Sequence, residues 1–418
     1  MARTLDVYLH HHLAGHLTQD DDGEMFFAYA VSWLDSPQAM LLSQSLPLRK
    51  DRFARKECAG FFGGILPEAG QREIVARNLG ISAKNDFAML EQIGGECAGA
   101  VTFMPAGEPL PEREDRYRDL SSQELVEKLK TLPRHPLLAG EQGVRLSLAG
   151  AQDKIAVKIS GDTISIPLGG ALSTHILKPA SPHFAGLVFN ELLCLDLARA
   201  SGLSAAKAET RNIEGLDFLL EERYDRALID SGGSRHYERL HQEDFCQALG
   251  IVSERKYEAE GGPSLKQCFD LLRGVSSAPV IDLQRLLDAV IFNYLIGNND
   301  AHGKNFSIVY NAPTGSADAA RFSPLYDLVC TVHYPELSKK MAMKIGGEYR
   351  ADHVLPGHFE ILAEEAGLAK RLVRRRVPEL ATSVMEGLKN IETSHPAAAD
   401  VAKTIEQRSR EALNRFAA

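Results

Sequence analysis

The chain has 418 residues, with 47 Lys and Arg against 56 Asp and Glu, a formal net charge of -9 and a pI near 5.9. That acidic balance excludes unaided binding to nucleic acid through bulk charge and leaves only a local basic patch for such contact. With 44% hydrophobic and 25% charged residues the composition is that of a globular protein with a large core, long enough for roughly two to three domains.

The N-terminus, Met1-Ala2-Arg3-Thr4-Leu5-Asp6-Val7-Tyr8, enters an acidic, strand-like segment at once and has no signal-peptide apolar core. The longest apolar stretches, such as Val290 to Ile296, are too short and too interrupted to span a bilayer. Cys58, Cys97, Cys194, Cys246, Cys268 and Cys330 lie far apart with no C-x-x-C pair, which favours reduced, buried thiols in a cytoplasmic protein.

Residues 1 to about 105 read as a small strand-rich unit with one or two helices. Leu5 to Leu9 alternates, and Asp20-Asp21-Asp22-Gly23 is a hairpin-type turn into Met25 to Tyr29. Ala98 to Pro105 reads as the closing strand. Three prolines and many charges make Pro105 to Arg118 a linker, after which Ser121-Ser122-Gln123-Glu124 caps a helix through Leu132. From about 143 to 225 short strands (Ile155 to Ile159, Ser173 to Lys178, Leu216 to Glu222) accompany one Leu- and Ala-rich helix, Val188 to Ala200. From 241 to 418 the pattern is mostly helical, including Asp282 to Ile296 and Arg371 to Ile391. A β-rich half followed by a helical half predicts an α+β, bilobal architecture.

The apolar helix ending at Ile296 runs into Asn298-Asn299-Asp300-Ala301-His302-Gly303-Lys304-Asn305, and Phe306 to Tyr310 leaves that loop as a strand. Phosphoryl transfer needs a carboxylate beside the attacking hydroxyl and oxygen ligands for Mg²⁺ around the nucleotide phosphates. Asp300, an Asn five residues later (Asn305) and a downstream Asp327 supply those residue types in the order that protein kinases use. The same loop also suits a capped turn whose Asp and Asn bond only their own backbone. The D-F-G triplet is absent: Asp327 is followed by Leu328 and Val329. Lys178 ends an apolar strand where it could neutralise phosphate, with Glu191 as a partner for its ammonium; an ordinary solvated lysine fits there too. Glu222 and Tyr224 could meet an adenine edge through main-chain groups, or simply close a charged strand.

Several segments resemble the HipA family, serine/threonine kinase toxins of bacterial toxin–antitoxin modules. They are Arg145-Leu146-Ser147-Leu148-Ala149-Gly150-Ala151-Gln152-Asp153-Lys154, His175 to Lys178, Glu222 to Arg226, Leu240 to Gln247 and Gly297 to Phe306. The resemblance covers nearly the whole chain in order. It implies a protein-kinase-like fold with a β-rich N-terminal subdomain (1–105), a kinase N-lobe (106–240) and a helical C-lobe (241–418). It implies ATP and Mg²⁺ as cofactors, Asp300 as catalytic base, and Asn305 and Asp327 on the metal. Lys178 and the Ser147 to Lys154 loop, with Ala151, Gln152 and Lys154, would take the phosphates. Glu222 and Tyr224 would take adenine, and His302 and Lys304 would support the catalytic loop. Ser147 matches the serine that these kinases autophosphorylate.

The resemblance further implies a HipB-like helix-turn-helix antitoxin as partner, DNA contact only through that antitoxin, no membrane, and an aminoacyl-tRNA synthetase or other translation component as substrate. A small-molecule phosphotransferase of the same architecture and a non-catalytic co-repressor are the alternatives. His10-His11-His12 with His16 reads as an exposed strand end, because neighbours in a strand point to opposite faces. Lys370, Arg371, Arg374, Arg375 and Arg376 read as a solvated basic helix face.

Overall fold

In the computed structural model, residues 2–110, 116–231, 234–310, 320–393 and 395–416 are described. They form two compact units. The first comprises Met1–Pro179, Arg211–Glu254 and Val309–Ala320, and the second Ala180–Thr210, Arg255–Ile308 and Arg321–Ala418.

The first unit is built on two sheets. Strands β1 (Arg3–Leu9), β2 (His12–Gln19), β3 (Met25–Tyr29), β4 (Phe53–Ala54) and β5 (Val101–Pro105) form an antiparallel sheet in the order β4-β3-β2-β1-β5. The Asp20 carboxylate accepts the amides of Asp22 (3.1 Å) and Glu24 (2.8 Å), which is why that acidic run makes the hairpin turn. His10 and His11 form the turn between β1 and β2, and His12 opens β2. His16 hydrogen-bonds Asp6 at 2.8 Å.

Three helices, Arg55–Gly64, Ala69–Leu79 and Asp86–Ile93, lie between β4 and β5, more than the one or two expected. Phe62 on the first of them packs against Phe27 and Phe103, a tertiary contact that local apolar periodicity does not announce.

The second sheet runs β10-β11-β9-β7-β8-β6, from strands β6 (Tyr117–Asp119), β7 (Ile155–Ser160), β8 (Thr163–Pro167), β9 (His175–Pro179), β10 (Ala208–Ile213) and β11 (Leu216–Glu222). β6 occupies the end of the expected linker, whose residues 111–115 lie outside the described residues. One hydrophobic cluster runs from Leu5, Phe27 and Phe62 to Ile155, Leu177 and Leu220, so the two sheets share a core. A charged hairpin, Arg226–Ser231 and Ser234–Arg239, was not foreseen, because its strands carry little apolar alternation.

The second unit is mostly helical. Pro279–Ile296 is its buried centre, surrounded by helices Leu187–Ala200, Leu265–Val275, Pro356–Glu365, Lys370–Asn390 and Pro396–Phe416. Asp282 near the start of the central helix is fully buried and bonds Arg285 (3.1 Å), Arg321 (2.9 Å) and the Phe322 amide (3.0 Å). Four of the five residues of the basic run on the Lys370–Asn390 helix are compensated: Lys370 pairs with Glu364, Arg374 with Glu360, Arg375 with Glu379, and Arg376 with Asp288. All six cysteines are buried thiols. No helix of the described residues is long and apolar enough to cross a membrane.

Glu243 is buried in the first unit, where it accepts hydrogen bonds from the hydroxyls of Ser43 and Tyr310 and from the Gln44 amide (3.0 Å). Burial raises its pKa from 4.5 to about 7 against the lowering effect of those donors. Its protonated form is favoured in the folded state, so this contribution is fully present below pH 4.5 and is lost as pH rises through about 7. Chemical-denaturant titrations should therefore show a Glu243→Gln variant losing about 3 kcal/mol less stability than wild type between those limits. Parallel pH profiles would contradict the assignment.

Candidate active site

The sequence-derived residues divide between the units. Asp300, His302, Lys304, Asn305 and Asp327 belong to the second, and Ser147, Ala151, Gln152, Lys154, Lys178, Glu222 and Tyr224 to the first.

In the second unit the central helix stops at Gly297, whose φ of +72° is left-handed and whose Cβ would lie 2.4 Å from Val332. Only glycine meets both demands. The Thr331 hydroxyl donates to the Gly297 carbonyl (3.0 Å) and accepts the Asn299 amide (2.8 Å). Asn298 accepts the Asp300 amide (3.1 Å) and donates to Asn293 (2.8 Å), while Asn299 donates to the Ser338 carbonyl (3.1 Å). This polar scaffold presents Asp300 outward: Asn298 and Asn299 before it are buried and it is exposed. The Tyr257 hydroxyl donates to Asp300 Oδ1 at 2.8 Å, and the Tyr257 ring stands edge-on to His302 at 5.4 Å.

Lys304 and Asn305 are buried on a short 3₁₀ turn. The Tyr326 hydroxyl donates to the Lys304 carbonyl (2.7 Å) and bonds the Ser307 hydroxyl (2.6 Å), bringing the segment that carries Asp327 against the loop that carries Lys304 and Asn305. Asp327 itself has a φ of +55°, a conformation uncommon for a non-glycine residue and concentrated at functional sites.

Asn305 Oδ1 is a buried oxygen with no hydrogen-bond donor. A carbonyl oxygen in that condition suits a hard cation, and an amide plus one carboxylate suit Mg²⁺, which completes its shell with water and phosphate oxygens. Among the described residues no three His, Cys, Asp or Glu side chains converge on a metal, as an all-protein cage would require. The residues present fit Mg²⁺ held together with a nucleotide.

In the first unit Lys178 is buried and its ammonium ion-pairs with Glu221 at 2.9 Å. β9 and β11 pair antiparallel with Lys178 opposite Leu219, which sets Glu221 diagonally across from the lysine. Glu191 is buried on the helix Leu187–Ala200 of the second unit. The Ser147 hydroxyl is fully buried and donates to the Ile65 carbonyl (2.9 Å). Further along the loop, Lys154 donates to the Ala149 carbonyl (2.8 Å), Ala151 is exposed, and Gln152 Nε2 is buried without an acceptor.

Glu222 is exposed at the end of β11, and the Tyr224 hydroxyl donates to Gln242 (2.7 Å). Between and beyond them, Arg223 and Arg226 turn inward onto Glu96, at 3.2 and 2.7 Å, and Arg239 pairs with the same carboxylate. Burial pushes the Glu96 carboxyl up, but the guanidiniums of Arg226, Arg239 and Arg223 outweigh it and hold it down to about 2. Asp225 accepts the Gly99 amide (2.7 Å) and bonds Arg223 (3.0 Å). The Glu96 backbone also pairs with the Ser147 segment, taking the Ser147 amide on its carbonyl (2.9 Å) and giving its own amide to Arg145 (2.8 Å). Sequence reasoning missed Glu96, Glu221 and Tyr257. Only the Gly261-Gly262-Pro263 turn beside Tyr257 marked that stretch as structured.

Comparison with known proteins gives the class. Residues 5–104 match the HipA N-terminal domain and residues 146–388 the HipA-like C-terminal domain. The chain is 45% identical to a putative kinase, Y4mE, of Sinorhizobium fredii, over 93% of this chain and 92% of that one. It is 30% identical to the serine/threonine-protein kinase toxin HipA of Shewanella oneidensis, over 91% of this chain and 89% of that one. The solved complex of Shewanella oneidensis HipA, HipB and operator DNA contains a chain that superposes with a TM-score of 0.82, at 27% identity, over 99% of this chain and 96% of that one. Fold and similarity together define a serine/threonine-protein kinase. The chain belongs to the HipA family.

The Glu96 cluster yields a stability prediction. Glu96→Ala leaves Arg223, Arg226 and Arg239 buried around a missing counter-charge and should cost about 3–5 kcal/mol in urea unfolding. A loss under about 1 kcal/mol, the range of an exposed pair, would show that the cluster holds nothing together.

Proposed function

We propose that this kinase transfers the γ-phosphoryl group of ATP to protein serine or threonine with Asp300 as base, and that it is the toxin of a toxin–antitoxin pair. The observation that carries the reading is that Asp300 and the donorless oxygen of Asn305 share one loop, to which the Tyr326 hydroxyl ties the segment of the left-handed Asp327. The acceptor oxygen forms its bond to phosphorus as the bond to the departing ADP oxygen breaks, and Asp300 takes the acceptor's proton. Asn305 and Asp327 would hold Mg²⁺, which supplies charge neutralisation at the phosphates when bound. Lys178 neutralises phosphate from β9, with Ala151, Gln152 and Lys154 as the phosphate loop. Glu222 and Tyr224 meet adenine through their main chain. His302 and Lys304 hold the loop's shape.

Ser147 is the proposed autophosphorylation site. It is fully buried with its hydroxyl on Ile65, so a phosphate of charge about -1.5 to -2 cannot be housed where the serine now sits. Phosphorylation therefore favours an expelled loop whose pairing with Glu96 is broken. A HipB-like helix-turn-helix antitoxin is the proposed partner, with DNA reached through it, and an aminoacyl-tRNA synthetase or another translation component the proposed cytoplasmic substrate. The compensated basic helix face supports the indirect route to DNA.

Two measurements test this. Asp300→Ala should lower phosphate transfer at least 100-fold in a radiolabelled ATP assay that resolves proteins from metabolites, with ATP affinity within a few-fold of wild type. Label appearing only in metabolites would transfer the reading to the small-molecule phosphotransferase, and full activity in the variant would remove Asp300 from the mechanism. Intact-mass analysis after ATP–Mg²⁺ incubation should show one added phosphate on wild type and none on Ser147→Ala. The same phosphate on both would exclude Ser147.

A further inference from the structure

We infer that Tyr257 is a positioning residue for the catalytic base, holding the Asp300 carboxylate in the orientation that receives the acceptor hydroxyl; this rests on the assignment of Asp300 proposed above. Asp300 is exposed, and an exposed aspartate samples several rotamers at little cost. A base is useful only when its oxygen meets the acceptor within hydrogen-bond reach. The Tyr257 hydroxyl donates to Oδ1 at 2.8 Å from 43 residues away in sequence, so this bond is set by the fold and not by a local turn.

The tyrosine is itself held on three sides. Its ring stands edge-on to His302, two residues beyond the base, at 5.4 Å. Its carbonyl accepts the amides of Glu260 and Gly262, both at 2.9 Å, and closes a tight turn. At Gly262 an added Cβ would lie 2.3 Å from the Arg255 carbonyl, so that turn requires glycine. The next residue, Glu258, takes the Lys344 backbone amide (2.8 Å) and its ammonium (3.1 Å), pinning the turn to strand Lys340–Ile345. The neighbouring strand residue Ala342 gives its amide to the Asn299 carbonyl (2.7 Å), immediately before the base. Base and tyrosine are therefore referenced to the same strand. A rigid phenol with two rotatable side-chain angles is a better holder than a flexible polar chain.

The test uses the full chain with ATP–Mg²⁺ and casein as acceptor, following ADP formation, which counts transfer to any hydroxyl, including the chain's own. Tyr257→Phe should lower the rate at saturating ATP about tenfold and leave the half-saturating ATP concentration within about twofold, a split that general destabilisation does not produce. A Tyr257→Phe rate equal to wild type overturns the inference, and so does phosphate found on Tyr257 itself, which would make it an acceptor. Asp300→Ala separates the two levels. If that variant is inactive while Tyr257→Phe is unaffected, only the tyrosine's role is lost. If Asp300→Ala is active, or wild type forms no ADP, the base assignment falls and this inference with it.

Discussion

A single dry carboxylate organises the first unit. Glu96 faces three arginines with almost no water, and an ionised group so placed is tolerable only when its partners are charged and well aimed. Two of those arginines, Arg223 and Arg226, flank Tyr224 in the segment proposed to meet adenine. The backbone of Glu96 meanwhile pairs with the segment that carries Ser147. Changing either segment therefore disturbs a residue that the other relies on, and a phosphate at Ser147 would act on that shared support.

The second unit solves a different problem, which is how to present an exposed carboxylate without letting it wander. A mostly buried helix ends at a glycine that no other residue can replace, and the following loop is pinned by Thr331, Asn293 and Ser338. Asp300 emerges from this frame and meets Tyr257. Asp327 is carried against the same loop by Tyr326, whose hydroxyl reaches the Lys304 carbonyl. The absence of D-F-G is consistent with this arrangement: Tyr326, on the other side of the aspartate, makes the contact that fixes the segment.

The candidate residues Asp300, Asn305 and Asp327 stand out in the sequence by type and spacing, and the helix and strand that frame the loop of the first two have clear apolar patterns. The helix after Ser121 was legible for a similar reason, because its cap and its reciprocal Glu124 are three residues apart. What escaped depends on tertiary approach. Glu221 reaches Lys178 only through the antiparallel register of β9 and β11. Glu96 and Tyr257 each look like an ordinary residue in a loop until the fold brings distant partners to them. The Arg226–Arg239 hairpin was invisible because its first and last arginines, Arg226 and Arg239, turn inward to a carboxylate in place of apolar side chains.

The central claim is that Asn305 and Asp327 hold a divalent ion that the nucleotide shares. Calorimetric titration of ATP with Mg²⁺ or with EDTA, on wild type and Asp327→Asn, tests it most directly. The account predicts that Mg²⁺ tightens ATP binding at least tenfold in wild type and that this gain disappears in Asp327→Asn, while metal-free binding is little changed. An Asp327→Asn protein that keeps the full Mg²⁺-dependent gain would contradict it.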